Sequence, residues 1–175
     1  TTEIVEFTNH VNRMIRRDKV NPVSGVHRSG KKPRIVQARS KANMFDAIFA
    51  DILDLQKKKI KNIGVITKSP GEAKEVFQFL RTSKEHVLLI TDRDEAYDYK
   101  GGVVILPITL SKGLEFEAVL LVGADAINFE KSVEYDGRLL YVGLTRALHE
   151  LYIYFFGQLS PYLNDARQKA QMDVL

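Results

Sequence analysis

The stretch Ile63–Leu80, IGVITKSPGEAKEVFQFL, decides the fold class of this 175-residue chain. It opens with a compact apolar run, Ile63–Thr67, which is typical of a strand that is buried on both faces. Ser69, Pro70 and Glu72 then form a capping-box pattern, which predicts a helix from Pro70 to Leu80. A buried strand followed directly by a capped helix is the first half of a β-α-β unit.

The same alternation of strands and helices extends in both directions from this stretch. Short apolar runs predict further strands at Arg34–Ala38, Val87–Thr91, Gly102–Leu106, Ala118–Gly123 and Leu151–Phe156. Amphipathic patterns predict helices at Thr1–Arg17, Asn43–Gln56 and Glu134–Leu148. Lys19–Pro33 is expected to be an exposed loop and Asp92–Gly102 a polar turn region. Nearly continuous Val/Ile/Leu strands separated by helices indicate an α/β fold, doubly wound, with a mainly parallel sheet flanked by helices.

Composition limits the class of protein. A chain of this length, 45% apolar and 27% charged, is expected to form one domain over residues 1–175, with a helical and loop part at 1–61 and a core at 62–160. Disorder and a disulfide scaffold are excluded, and the absence of cysteine also excludes a thiol nucleophile. There is no apolar run long enough to span a bilayer, and the N-terminus lacks the order of a signal peptide. We therefore expect a cytoplasmic protein that does not act at a membrane.

Charge is unevenly distributed along the chain. Residues 1–61 contain 14 lysines and arginines against 6 acidic residues, a net charge of +8, whereas residues 62–175 contain 12 against 16, a net charge of −4. A basic front half is typical of a surface that meets a polyanion, usually nucleic acid. A solvated protein surface explains the same charge, and charge alone favours that simpler interpretation.

One loop has the glycine and lysine spacing of a phosphate-binding motif but not its other residues. Gly25–Lys31, GVHRSGK, has the spacing G-x-x-x-x-G-K. Lys32 follows where a Ser or Thr hydroxyl should reach Mg²⁺, and Pro33 stands where a helix should already have begun. We interpret the segment as a basic surface loop.

Two later segments carry the residues with functional potential. In Pro107–Leu121, PITLSKGLEFEAVLL, a strand leads into a turn in which Gly113 would let the backbone approach a ligand and Glu115 could accept a hydrogen bond from a sugar hydroxyl. In Arg138–Leu151, RLLYVGLTRALHEL, Arg146 stands near a helix end. An arginine there is usually a cation that complements the helix dipole, but it could also reach a phosphate across a domain interface. The four histidines have no metal-ligand spacing, so no metal site is expected.

Together these segments resemble a known family. TLSKGLEFEAVLLVGAD (residues 109–125) followed by GRLLYVGLTRALHELYIY (residues 137–154) resembles motifs V and VI of the UvrD/Rep-like superfamily 1 helicases, and NIGVITKSPGEAKEVFQFL (residues 62–80) resembles motif IV. TTEIVEFTN (residues 1–9) is similar to the segment after that family's Tyr-Arg-Ser motif. The resemblance implies the second of two RecA-like domains. Only about 28 residues separate Leu80 from Thr109, which leaves no room for the helical insertion of UvrD and Rep, so the helicase IV/HelD branch is the more similar one.

The resemblance implies an ATP site completed by another domain. Arg146 matches the motif VI arginine finger on the γ-phosphate, and Lys68 aligns with a motif IV arginine that also contacts the γ-phosphate. Glu115 and Gly113 match the motif V residues near the ribose. The cofactor would be ATP with Mg²⁺, whose ligands are expected on a first RecA-like domain that this chain lacks. Without the Walker A and B motifs of that domain, the chain alone is expected to be inactive.

The resemblance also implies partners. The favoured function is the motor domain of an ATP-dependent DNA helicase or translocase, with Thr109 and Lys112 on single-stranded DNA and the missing first domain of the same polypeptide as the second partner. One alternative is an ATPase that remodels or recycles RNA polymerase. Another is a degenerate RecA-like fold that serves only as a binding module.

Overall fold

The computed structural model describes residues 1–16, 28–82 and 86–175 of the chain. Within them seven strands form one sheet: β1 (Arg34–Ala38), β2 (Asn62–Thr67), β3 (Val87–Leu89), β4 (Gly102–Pro107), β5 (Phe116–Leu121), β6 (Ala147–Phe156) and β7 (Gln171–Val174). The α-helices of these residues are α1 (Thr2–Ile15), α2 (Lys41–Lys57), α3 (Pro70–Thr82), α4 (Arg93–Tyr97) and α5 (Glu134–Leu144). Short 3-10 turns occur at Ile108–Leu110, Pro161–Leu163 and Ala166–Lys169.

The sheet is parallel throughout. Its strands lie in the order β3-β4-β2-β5-β6-β1-β7, and every hydrogen-bonded neighbour pair is parallel. A parallel connection returns over one face of the sheet to start the next strand, and the helices of this chain lie on both faces. The predicted doubly wound α/β fold is therefore confirmed.

The two faces of the sheet belong to separate apolar cores. In β5, Val119 and Leu121 point into the core shared with α1 and α5, whereas Ala118 and Leu120 point into the core shared with α2 and α3. All four side chains are fully buried. This alternation with a period of two explains why the strand appears in the sequence as an unbroken apolar run.

The capping box predicted for α3 is present. The Ser69 amide donates to Glu72 Oε2 at 3.1 Å, and the Glu72 amide donates to Ser69 Oγ at 3.2 Å. Both amides would otherwise lack a partner at the start of the helix. The pair fixes the direction in which the chain leaves β2.

The boundary between α5 and β6 differs from the prediction. The leucine-rich pattern predicts a helix to Leu148 and a strand from Leu151, but α5 ends at Leu144 and β6 begins at Ala147. Ala147 pairs with Phe116 of β5, so the ladder extends toward the helix by four residues. Strand pairing with a distant segment here overrides the local helical pattern.

Neither α4 nor β7 is predicted by the sequence pattern, and α1 ends at Ile15, short of the predicted Arg17. In the predicted turn region, Asp92 caps α4 by accepting a hydrogen bond from the Glu95 amide at 2.9 Å. β7 is a mostly exposed edge strand that pairs only with β1.

The loop that imitates a phosphate-binding motif lies partly outside the described residues, since residues 17–27 are not among them. Its described end is held by acidic side chains. The Gly30 amide donates to Glu3 Oε2 at 2.7 Å, and Lys31 pairs with Glu150 at 2.7 Å. None of the described helices is long and apolar enough to cross a membrane.

Lys59 adopts a left-handed conformation directly after α2, with φ of 64°. The Lys59 amide donates to the Gln56 carbonyl, and the Ile60 amide donates to the Leu55 carbonyl, which is the Schellman arrangement. We predict that Lys59→Gly raises the free energy of unfolding by about 0.5–1 kcal/mol, because glycine has no Cβ to oppose this conformation. Urea denaturation measures the effect. The control Lys58→Gly, at a residue with φ of −77°, should instead lower stability, and a fall for Lys59→Gly would contradict the prediction.

An ionic clamp ties the last strand to the rest of the sheet. Arg34 at the start of β1 contacts Asp51 of α2 at 2.9 Å and Asp173 of β7 at 2.7 Å. Tyr154 of β6 donates to the second oxygen of Asp51 at 2.7 Å. Burial acts to raise the pKa of Asp173, but hydrogen bonds from Gln171 and Arg34 outweigh it and lower that pKa below its usual value.

The lowered pKa of Asp173 gives the clamp a pH dependence. A carboxyl whose pKa falls on folding contributes stability above its unfolded pKa of about 3.9 and loses it as the pH falls through the folded value. We predict that Arg34→Met costs about 1–2 kcal/mol at pH 7, and that this cost shrinks steadily below about pH 4. Urea titrations of both proteins from neutral to acidic pH measure it. A cost that is the same at every pH would show that Arg34 acts through packing alone.

Candidate functional site

Arg146 lies in the turn between α5 and β6. Its guanidinium is half-buried and donates to the carbonyls of Val142 (3.1 Å) and Leu114 (3.3 Å) and to the Thr145 hydroxyl (3.3 Å). Among the described residues, no carboxylate lies within ion-pair distance of it. Neutral acceptors bind a guanidinium more weakly than anions do. The positive charge is therefore available to an anionic ligand.

The connection from β4 to β5 passes directly beside this arginine. Leu114, whose carbonyl accepts from Arg146, stands between Gly113 and Glu115. Gly113 has φ of 88°, and the space where a side chain would begin is open. The Phe116 amide donates to the Arg146 carbonyl at 2.9 Å, which joins the two segments at the start of β5 and β6. The structure thus brings Arg146, Gly113 and Glu115 together.

Two glutamates lie near this junction, and they differ in availability. Glu117 accepts hydrogen bonds from the amides of Asn62 and Lys61, both at 2.9 Å, and these bonds lower the pKa of Glu117. Glu115 is exposed and has no hydrogen-bond or ion-pair partner among the described residues. Of the two carboxylates, Glu115 is the one that can take a ligand.

Thr109 and Lys112 lie on the same β4–β5 connection, and both are exposed. Thr109 lies in the 3-10 turn just after the carboxyl end of β4. Lys112 comes three residues later, beside Gly113. The connection therefore presents a hydroxyl and an ammonium group to solvent as it runs toward Arg146.

Lys68 and Arg146 lie at opposite ends of the strands. Lys68 follows the carboxyl end of β2, whereas Arg146 precedes the amino end of β6. Lys68 Nζ pairs with Asp136 Oδ1 at 2.6 Å, contacts the Asn128 carbonyl and lies 5.5 Å from the centre of the Phe129 ring. Asp136 lies in the first turn of α5 and Arg146 follows the end of that helix, so ten residues at 1.5 Å each separate their backbones by about 15 Å. The structure does not bring Lys68 next to Arg146.

Comparison with known proteins matches this part of the chain to a helicase family. Residues 102–154, which run from β4 into β6 and include Arg146, match the model of the UvrD-like helicase C-terminal domain. The crystal structure of the C-terminal domain of a possible DNA helicase from Lactobacillus plantarum WCFS1 superposes with a TM-score of 0.80 at 26% identity, and covers 98% of this chain and 96% of that one. The part of the chain that contains Arg146 is thus similar to UvrD-like helicase C-terminal domains. The resemblance to UvrD-like helicases stated from the motifs is confirmed.

Curated proteins that are similar to this chain are named as DNA helicases. A probable DNA helicase II homolog from Rickettsia conorii is 31% identical over 129 residues, which are 65% of this chain and 19% of that protein. The ATP-dependent DNA helicase PcrA from Leuconostoc citreum is 32% identical over 94 residues, which are 49% of this chain and 12% of that protein. The chain thus spans about a fifth or less of the length of these relatives. Nothing in these comparisons supports the RNA polymerase alternative.

The structure contains a polar network near Lys68 that the sequence motifs do not predict. Asn128 Nδ2 donates to Glu72 Oε1 at 2.7 Å and to the Gly123 carbonyl at 3.0 Å. Asp125 accepts from the amides of Ile127 and Asn128, both at 3.0 Å. The Asp-x-x-Asn spacing is typical of such a turn and is the one signal in the sequence that could have revealed it. Among the described residues no group of three His, Cys, Asp or Glu side chains could hold a metal ion.

The Lys68–Asp136 pair can be tested by a double-mutant cycle. The Asp136 side chain is only 8% exposed, so Lys68→Met leaves a buried carboxylate without its cation. We predict that Lys68→Met costs about 2–4 kcal/mol of unfolding free energy, and that Lys68→Met with Asp136→Leu costs less than the sum of the single changes. Chemical denaturation gives all four values. Arg138→Met is the control, since the exposed Arg138–Glu134 pair on α5 should contribute less than about 1 kcal/mol. Additive single effects would show that the two side chains do not stabilise each other.

Proposed function

We propose that this chain is the C-terminal motor domain of an ATP-dependent DNA helicase or translocase, and that it completes an ATP site together with a first RecA-like domain. The observation that carries the proposal is the placement of Arg146. It is a cation with neutral partners only, beside an open glycine and an exposed carboxylate. The names of the relatives, DNA helicase II and PcrA, support the same function. A cytoplasmic location belongs to this proposal.

Arg146 is proposed to act as an arginine finger. Its backbone is fixed by pairing of β6 with β5, while the guanidinium is held by carbonyl and hydroxyl oxygens at 3.1–3.3 Å. Exchanging these neutral acceptors for phosphate oxygens adds the attraction between the guanidinium and an anion to each hydrogen bond. A positive charge placed on a transferring phosphoryl group is worth about 10³–10⁵ in rate.

Glu115 and Gly113 are proposed to hold the rest of the nucleotide. The exposed Glu115 carboxylate can accept a hydrogen bond from a ribose hydroxyl. Gly113 leaves open space, so its backbone can approach a ligand closely. ATP would supply the phosphoryl group with Mg²⁺, and the Mg²⁺ ligands are expected on the first domain. The described residues thus fit one side of a nucleotide site.

The contacts of Lys68 favour a structural role. Its ammonium group is already paired with a buried carboxylate and a carbonyl, so moving it to a phosphate would leave Asp136 without a cation. We propose that Lys68 fixes the start of α5, the helix that ends beside Arg146. It is a structural partner of Asp136 and not a second phosphate sensor.

Single-stranded DNA is the proposed nucleic-acid partner, with Thr109 and Lys112 as contact residues. A hydroxyl and an ammonium group suit phosphate oxygens, which any sequence presents. The basic front half contributes less than its net charge suggests. Four of its cations, Lys31, Arg34, Lys41 and Lys58, are paired with carboxylates in the structure.

Steady-state ATP hydrolysis by the complete polypeptide that contains these residues tests the proposal. We expect single-stranded DNA to stimulate turnover, and Arg146→Ala to lower kcat by about 10³-fold or more with and without DNA. Arg138→Ala is the matched control, because Arg138 is an exposed cation on the neighbouring helix with its own partner, Glu134. It should leave kcat unchanged.

Two results would contradict the proposal in different ways. If Arg146→Ala retains kcat within about threefold of the parent, Arg146 is not in the active site. If turnover requires Arg146 but is not stimulated by DNA, the protein is an ATP-driven motor whose partner is not DNA. The second result would redirect the search to a protein partner such as RNA polymerase.

A further inference from the structure

A cleft of about 380 Å³ lies over the carboxyl ends of β5 and β6, on the face covered by α2 and α3. Its walls are mainly apolar and include Met44, Phe45, Val76, Val122 and Phe156. Arg146 lies at the amino ends of these strands, so the cleft is separate from the proposed ATP site. Volume and lining fall within the range of pockets that bind ligands.

The topology explains why a cleft forms here. The chain leaves β5 and β6 toward the face that carries α1 and α5, whereas it leaves β2 and β1 into α3 and α2 on the other face. Neighbouring strands whose connections diverge leave a crevice at their carboxyl ends, which is where open parallel sheets bind ligands. The cleft lies between the first turns of α2 and α3.

An exposed isoleucine stands at the border of this cleft. Ile127 is 91% exposed, and Phe156 is partly exposed on the other side. The turn that holds Ile127 outward is well bonded, because Asp125 accepts from its amide and Asn128 is fastened to Glu72. Single exposed apolar residues are common on proteins. Here the fixed isoleucine extends the apolar surface of a cleft.

Charge at the rim selects the kind of occupant. Carboxylates of Glu72, Glu75 and Asp125 line the cleft, and the one cation among its lining residues, Lys41, is paired with Glu75. This excess of negative charge disfavours a phosphate backbone and favours a cation. The Lys41–Glu75 pair is exposed on both sides, so a cation from a partner can replace Lys41 at little cost.

We propose that this cleft binds a protein segment that carries an apolar anchor side chain flanked by lysine or arginine residues. The anchor fills the apolar floor beside Phe156 and Ile127. The flanking cations meet the exposed carboxylate of Glu75. The site is independent of the ATP site, and the proposal holds whether or not the helicase function does.

Two synthetic peptides of equal length test the proposal on the 175-residue chain. Both contain a central Leu-Phe pair, flanked by lysines in one and by glutamates in the other. Binding is followed by methyl and amide NMR shifts. We expect the lysine peptide to shift the signals of Met44, Val76, Val122 and Ile127, and the glutamate peptide to bind at least about tenfold more weakly, since like charges at the rim oppose it.

Surface variants assign the effect to the cleft. Ile127→Ser should weaken the lysine peptide about fivefold or more through lost apolar contact, and Glu75→Lys by a similar factor through charge reversal. Both residues are exposed, so folding should be unaffected. The matched controls are Val174→Ser, an exposed apolar residue on β7, and Glu134→Lys, an exposed glutamate on α5. Neither control should change the affinity.

Four results would overturn the proposal. Equal affinity for both peptides would mean non-specific apolar binding, and no binding of either up to about 1 mM would mean that the cleft takes no such segment. Cleft shifts caused by an oligothymidine strand would identify nucleic acid as the occupant. Shifts that grow with protein concentration alone would identify a second copy of this chain.

Discussion

The hydrogen bond from the Phe116 amide to the Arg146 carbonyl starts the pairing of β5 with β6, and the candidate site depends on it. The Phe116 ring is fully buried and fills the space beside Gly64 of β2, where a Cβ atom would lie 2.6 Å from the ring. Tyr99 packs against the same ring at 5.7 Å. The core therefore fixes the backbone of Arg146 next to Gly113 and Glu115. Only the guanidinium is left free to exchange its partners.

Lys68 and Arg146, which both match cations of the helicase motifs, differ in their electrostatic surroundings. Lys68 compensates a buried carboxylate, and removing that compensation leaves Asp136 with a desolvation cost of several kcal/mol. Arg146 compensates nothing, because its partners are two carbonyls and a hydroxyl. A group that can leave its partners at little cost is suited to meet a ligand, and one that cannot is suited to hold a fold. The different roles proposed for Lys68 and Arg146 thus rest on the surroundings of each charge and not on its alignment with a motif.

Most of the sheet could be predicted from the sequence, because each central strand is buried on both faces and appears as an apolar run. The same holds for α3, whose start is encoded locally by Ser69 and Glu72. The limits of α5 and β6 could not be predicted, since they depend on pairing with β5 some thirty residues earlier in the chain. β7 is short and exposed, so it has no apolar pattern in the sequence. Only its pairing with β1 defines it as a strand. Gly113, Glu115 and Arg146 were brought together as the motifs implied, whereas the Lys68–Asp136 pair joins residues that no local pattern connects.

Opposite charges lie at the two ends of the central strands. The guanidinium of Arg146 lies at the amino ends of β5 and β6, while the carboxylates of Glu72, Glu75 and Asp125 line the cleft at the carboxyl ends of the same strands. A strand of six residues, at about 3.3 Å each, separates its amino end from its carboxyl end by about 20 Å. That is more than twice the Debye length of about 8 Å at physiological ionic strength, so exposed charges at one end are largely screened from the other. An anionic ligand at Arg146 and a cationic segment in the cleft can therefore bind at the same time without direct electrostatic competition.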